Sequence, residues 1–148
     1  MNIAVYNRQK DVKIRPLSVK KAFTEAARFY NVQFDEAAVH FVSTKEISEL
    51  HGEFFQDPTP TDCITFPIDN EAVPGYRFLG EICVCPEAAL EHCAEHGTDV
   101  YEEITLYVMH GLLHLLGYDD MNDKDRVLMR KEEARIMEQL KKENLLIR

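Results

Sequence analysis

The segment VYEEITLYVMHGLLHLLGYDD, residues 100–120, places Ile104, Leu106, Val108, Met109, Leu112, Leu113, Leu115 and Leu116 on almost every side of a helix. A helix that is apolar all round is buried among other elements rather than laid on a surface. Thr98 and Asp99, just before it, suit the cap of its first turn, and Gly117, just after it, tolerates the positive φ at which helices commonly stop. The sequence therefore predicts a central helix running to Leu116. His110 and His114 lie four residues apart on it and so share one face. The turn at Gly117 brings either Asp119 or Asp120 back towards the two imidazoles. Two nitrogens and a carboxylate oxygen, with a fourth position left to water, form the ligand pattern of a catalytic zinc site rather than a closed structural one.

On the N-terminal side of this helix, residues 3–7 (IAVYN) alternate as a strand does, and a basic turn ending at Pro16 follows. Leu17, Val19, Ala22, Phe23, Ala26, Ala27 and Tyr30 form a helical stripe over residues 17–31. Residues 37–43 (AAVHFVS) read as a second strand, with Thr44 as cap of a helix through Leu50 to Phe54. Two prolines make residues 56–62 an irregular loop. Residues 62–68 (DCITFPI) and 78–85 (FLGEICVC) are strands joined by a connection. Pro86 opens a short helix to His96, and Asp120 or Asn122 caps a last helix reaching Lys142. Strands and helices are interspersed without strict alternation, and two strands lie close together in sequence. This pattern predicts an α+β fold, a mixed sheet of about four strands packed with about five helices, in one domain spanning 1–148.

The chain's 148 residues, 45% of them hydrophobic, suit one domain with a real core. No run approaches the ~18 apolar residues of a membrane helix, and the N-terminus lacks the basic-then-apolar design of an export signal. The expectation is a cytoplasmic protein with no membrane association. Cys63, Cys83, Cys85 and Cys93 fit neither a disulfide framework nor a paired CxxC zinc site, and read as reduced, small core residues. A formal charge of −9 opposes broad binding to nucleic acid but leaves room for a local basic groove.

Two further features bear on the chemistry. A zinc protease of the HExxH type uses the glutamate beside its first histidine as general base, and Gly111 occupies that position here. Gly111 permits close helix packing or substrate approach and cannot take a proton, which argues against a protease. A second HxxxH pair, His92 and His96, flanks Cys93 and has Cys83 and Cys85 upstream, the raw material of a soft N/S metal site. The acidic, polar EHCAEH setting favours a solvated helix end, where histidines complement the helix dipole.

HGLLHLLGYDD resembles the signature of the YbeY family, bacterial single-domain metal-dependent endoribonucleases that mature ribosomal RNA; there HGxLHLxGYD is most often followed by His. Upstream, Pro60-Thr61-Asp62-Cys63-Ile64-Thr65-Phe66-Pro67 is similar to the family's PTDVLSFP segment, and Leu79-Gly80-Glu81-Ile82 to its LGDI strand. The resemblance implies a zinc-hydrolase-like α+β fold holding one Zn(2+) ion per chain on His110, His114 and Asp120. It implies a single-strand-specific metallo-endoribonuclease that matures the 3′ end of small-subunit ribosomal RNA and serves ribosome quality control. The implied partners are ribosomal RNA, the small ribosomal subunit and an assembly GTPase, with neither DNA nor membrane.

On this reading zinc at His110, His114 and Asp120 polarises a phosphoryl oxygen or activates water. Asp119, outside the ligand set, orients a histidine or helps move a proton. Thr61 and Asp62 either face the same cleft to bind substrate or cap the entry to strand 62–68. The chain departs from the family pattern at two places. Asp120 stands where histidine is usual, which keeps a zinc ligand but makes bound water a weaker acid and the site harder. Phe54-Phe55 stands where many relatives have Tyr-Arg, so a guanidinium for phosphate is missing there, with Arg77 or an N-terminal basic residue as replacements. The absent arginine and the acidic charge favour the alternative of a non-catalytic zinc-binding ribosome-assembly factor. A zinc hydrolase for another ester or amide is the third reading.

Overall fold

In the computed structural model of the protein, which describes residues 1–56, 61–68 and 74–148, the alternating N-terminal segment is strand β1 (Asn2–Arg8). Helix α1 (Pro16–Phe29) begins on Pro16, whose fixed φ suits the first helical position and whose missing N–H is not needed there. Its apolar stripe buries Val19, Ala22, Phe23, Ala26 and Ala27. Strand β2 (Glu36–Val42) follows, then α2 (Thr44–Phe55). The cap of α2 is Ser43 rather than Thr44. The Ser43 hydroxyl accepts from the Glu46 N–H at 3.1 Å, while the Thr44 hydroxyl is drawn away to the Glu87 carboxylate. Strands β3 (Cys63–Pro67) and β4 (Phe78–Val84) precede α3 (Pro86–His96), the central α4 (Val100–Leu115) and α5 (Asp123–Lys142). The expected proline loop falls largely on residues 57–60, outside the described ones, as does part of the 70–77 connection.

The sheet order is β1-β2-β4-β3, with β1, β2 and β4 parallel and β3 antiparallel to β4. Among the described residues, this mixed sheet of four strands with five helices is the α+β arrangement predicted from the sequence. Parallel neighbours need crossovers, and α1 supplies the first. The larger core joins one face of the sheet (Ile3, Val39, Phe41, Ile82, Val84) to α1, α4 and α5. On the opposite face α2 seats Ile47 against Val42, Ile64, Cys83 and Cys85. The four cysteines are unpaired, three of them buried, as a reduced core requires. Helix α4 has no exposed residue along its length, which is the outcome its all-round apolar pattern demands.

Two glycines let α4 lie close against the sheet. A Cβ on Gly111 would stand 2.6 Å from Ile82 Cγ2 and 3.2 Å from Cys63 Sγ. Gly80 has φ +146°, and a Cβ there would meet Leu115 Cδ2 at 2.6 Å and the Phe66 carbonyl at 2.8 Å. Sheet and helix therefore meet backbone to side chain, and the histidine face of α4 is held at a fixed height above β3 and β4. No helix among the described residues is long and apolar enough to cross a membrane.

Candidate metal centre

Asp99 caps α4, its carboxylate accepting the Glu102 N–H at 3.2 Å. Leu116 and Gly117 end the helix in a Schellman turn: the Tyr118 N–H donates to the Leu113 carbonyl at 3.0 Å, the Gly117 N–H to that of His114 at 3.0 Å, and Gly117 takes φ +101°. The chain then reverses. Asn122 caps α5 by accepting the Asp125 N–H at 2.9 Å, so Asp120 is not occupied as a cap. The Asp120 N–H donates to Asp119 Oδ1 at 2.8 Å, and the Arg126 guanidinium donates to its carbonyl at 3.3 Å. These bonds fix the backbone on both sides of the Asp120 carboxylate.

His110 Nε2 and His114 Nε2 lie 3.0 Å apart, and Asp120 Oδ2 is 3.6 Å from each. Among the described residues this is the one group of three His, Cys, Asp or Glu side chains with ligand atoms drawn together in this way. Zinc bonds of ~2.0–2.2 Å at tetrahedral angles separate donor atoms by ~3.3–3.6 Å. The observed triangle brackets that spacing.

The outer nitrogens decide which atoms face inward. His114 Nδ1 meets the Tyr118 carbonyl at 3.1 Å, and a carbonyl only accepts. His110 Nδ1 meets Glu133 Oε2 at 2.5 Å. Burial opposes the charge on Glu133, but hydrogen bonds from His110 and Arg130 outweigh it and hold its carboxyl below the ordinary value. Both imidazoles thus carry their proton on Nδ1 when neutral, and two Nε2 lone pairs turn towards one another beside a carboxylate. Three electron-pair donors so arranged are satisfied by a cation, and a carboxylate behind a ligand histidine is the usual support of such a site. The donor set fits zinc.

The sequence did not single out Glu133 or Arg130. Glu133 is buried on α5, and Arg130, one turn earlier, donates through Nη1 to both of its oxygens at 2.7 and 3.0 Å. A cavity of about 510 Å³ beside the triad is lined by His110, Asp120, Glu133, Asp62, His92 and Arg130, among others. Its one lining arginine is Arg130, whose side chain is 66% exposed. Arg77 serves elsewhere, its guanidinium donating to the Gln33 carbonyl at 3.2 Å and its N–H to Asp35. Arg8 is engaged by Glu46, with both oxygens within 3.2 Å of its Nε.

The other expected site residues divide. Asp62 reaches the cleft, while Thr61, half-buried beside it, lines neither this cavity nor the smaller recess next to it. Asp119 is exposed and faces a neighbouring hollow with Leu116, Gly117 and Leu128. The carboxylate that orients His110 is Glu133. His92 borders the cleft 3.7 Å from Glu103, and His96 stacks on it and bonds its carbonyl, which matches the solvated-helix reading of that pair. Burial pushes the Cys63 thiol well above its usual range, with Asp62 and Cys83 adding to the effect. Cys63 is therefore a neutral packing group beside Gly111.

Residues 4–141 match the family model described as Endoribonuclease YbeY. The chain is 44% identical over 142 residues to the Endoribonuclease YbeY of Protochlamydia amoebophila (strain UWE25), covering 96% of this chain and 95% of that one. It is 36% identical over 151 residues to the Endoribonuclease YbeY of Chlamydia felis (strain Fe/C-56), covering 99% and 96%. Among solved structures, the solution structure of TM1509 from Thermotoga maritima superposes with a TM-score of 0.66 at 28% identity, covering 95% of this chain and 90% of that one.

Proposed function

The chain belongs to the YbeY endoribonuclease family, and from that premise we propose that it is a single-strand-specific metallo-endoribonuclease of the cytoplasm that matures the 3′ end of small-subunit ribosomal RNA. Ribosome quality control is part of the same role. Its partners on this reading are ribosomal RNA, the small ribosomal subunit and an assembly GTPase. The observation that carries the reading is the convergence of His110 Nε2, His114 Nε2 and Asp120 Oδ2, within 3.6 Å of one another, at the wall of an open cleft.

His110, His114 and Asp120 would hold one Zn(2+) ion per chain, which would supply Lewis acidity towards a phosphoryl oxygen. The protein's own groups do the rest. Glu133 keeps the His110 proton on Nδ1 and leaves Nε2 for the metal. Arg130 gives Nη1 to Glu133 and offers the remainder of its guanidinium to the RNA phosphate, the part that the Phe54-Phe55 segment cannot play. Asp62 accepts a hydrogen bond from a ribose hydroxyl, a contact that separates RNA from DNA, with Thr61 supporting it. Asp119 acts by position, holding the Asp120 backbone.

The test is cleavage of a small-subunit ribosomal RNA precursor by the purified protein, with chelator, His110→Ala and His114→Ala as controls. Cleavage lost in all three, with folding intact by circular dichroism, supports the reading. Cleavage that survives in folded His110→Ala overturns it. Metal content measured on Asp120→Ala checks the third ligand, and full zinc loading there would remove it from the set. The non-catalytic assembly factor is not favoured, because the relatives that match nearly the whole chain carry the endoribonuclease name.

A further inference from the structure

A recess of about 180 Å³ opens on the other side of the two histidines, lined by His110, His114, Cys63, Thr65, His51 and Phe55. Phe55 and its neighbour Phe54 end helix α2, and they are 52% and 57% exposed. An aromatic side chain has ~150–250 Å² to bury, so the Phe55 ring left half in water at the rim of a reactive site, with Phe54 half in water over the adjoining hollow, calls for a reason. Packing accounts for part of them. Phe54 meets Phe66 edge-on with centroids 5.1 Å apart. Phe55 meets His51 at 5.6 Å and 48°, and Phe66 at 6.4 Å and 40°. These are tilted contacts, and they leave half of the Phe55 surface uncovered. The left-handed turn at Gln56, φ +56°, stops the helix directly behind the pair.

We propose that Phe55, braced by His51 and Phe66, is a base-stacking platform that seats an unpaired nucleobase of the RNA next to the cleaved linkage, with Phe54 extending the platform for the next base. The proposal rests on the endonuclease reading above and names what the substrate must offer. Phe55 shares its recess with the two histidines, so a base stacked on it places its own backbone beside the metal centre. The recess falls below the ~300 Å³ at which sites for drug-sized molecules begin, which suits one planar ring and not a peptide segment. Every base has a π-face, so such a platform accepts any sequence but only a strand whose bases are free. Strand selectivity would then come from an aromatic side chain as much as from the metal centre.

The chain contains no tryptophan, so Phe55→Trp introduces a single indole at the platform itself, excited at the red edge where the six tyrosines do not absorb. The probes are a phosphorothioate hexa-adenylate, which resists hydrolysis, an abasic ribose oligomer with the same linkages, and a blunt duplex, each titrated into zinc-loaded full-length protein. The hexa-adenylate is expected to quench the emission saturably, and the other two to leave it unchanged. By fluorescence anisotropy, Phe55→Ala is expected to bind the hexa-adenylate about 5- to 150-fold more weakly, the span of one base–aromatic stack, and Phe55→Tyr to restore binding. Unchanged affinity in Phe55→Ala, or equal quenching by the abasic oligomer, overturns the platform. The two readings fail separately. A wild type that cleaves RNA while Phe55→Ala binds normally sinks the platform alone, and saturable quenching in a protein that cleaves nothing sinks the endonuclease alone.

Discussion

Glu132 and Glu133 are neighbours on α5, both buried, and each is gripped by an arginine three residues away: Glu132 by Arg135 at 2.7 Å, Glu133 by Arg130 at 2.7 Å. One step along a helix turns the side chain by about a quarter of a circle, so the two carboxylates face different parts of the molecule. Glu132 accepts from the Tyr30 hydroxyl at 3.3 Å, and Arg135 covers the Phe29 ring at 5.2 Å. That side ties α5 to the end of α1. Glu133 accepts from His110, and Arg130 borders the cleft. The same local device, a buried acid clamped to a half-exposed arginine, is structural on one side and supports the metal centre on the other. What separates the roles is only what lies across the gap.

Four substitutions tell the two clamps apart, in decreasing order of effect. Glu133→Ala should lower zinc affinity about 10- to 100-fold, the usual loss when the group behind a ligand histidine is removed. Competition with a chromogenic chelator reads this directly, and unchanged affinity would place Glu133 with Glu132 as purely structural. Arg130→Ala should slow RNA cleavage about tenfold while leaving zinc content intact, as expected for loss of one charge-assisted phosphate contact. Glu132→Gln should cost ~1–2 kcal/mol of stability in urea, with zinc affinity and cleavage per folded molecule unchanged. Tyr30→Phe should cost ~1 kcal/mol or less, since one hydroxyl shared between the Glu132 carbonyl at 3.2 Å and its carboxylate at 3.3 Å is lost.

Acid titration sharpens the same contrast from the Glu133 side. A carboxyl held below its ordinary value contributes stability that is complete above the usual carboxylate range and is lost as pH falls through its folded-state value. The acid limb of the stability–pH curve should therefore be shallower in Glu133→Gln than in the wild type, measured by urea unfolding from pH 6 downwards. An identical limb would show that the clamp on Glu133 is not coupled to folding.

Most of this architecture was legible in the residues. Period-two alternation in β1, the stripe of α1, and the proline that opens α3 each report a local preference, and local preferences are what a linear reading sees best. His110 and His114 were visible because four-residue spacing on a helix is itself a geometric statement. Asp120 was one of two candidates until Asn122 took the cap of α5 and Asp119 turned to the backbone. Glu133 was not legible. It sits in a polar helix, among Lys131, Glu132 and Arg135, where a charged residue reads as a solvated face; only the packing of α5 on α4 buries it against His110. Arg130 follows from Glu133 and was hidden for the same reason. The exchange of Thr44 for Ser43 at the α2 cap shows the ordinary one-residue uncertainty of helix ends, resolved here by the competing Glu87 carboxylate.

Gly111 has an evolutionary meaning as well as a steric one. An HExxH enzyme is one substitution away on paper: both histidines are present, and only the residue directly after the first one, Gly111, differs. Yet any side chain at 111 must enter space already filled by Ile82 of the neighbouring strand. The glutamate of a peptidase could be gained only after α4 had lifted from the sheet, and that would dismantle the bed on which both histidines rest. Within this fold, then, the route to that chemistry is closed by the Ile82 and Cys63 side chains packed against the helix.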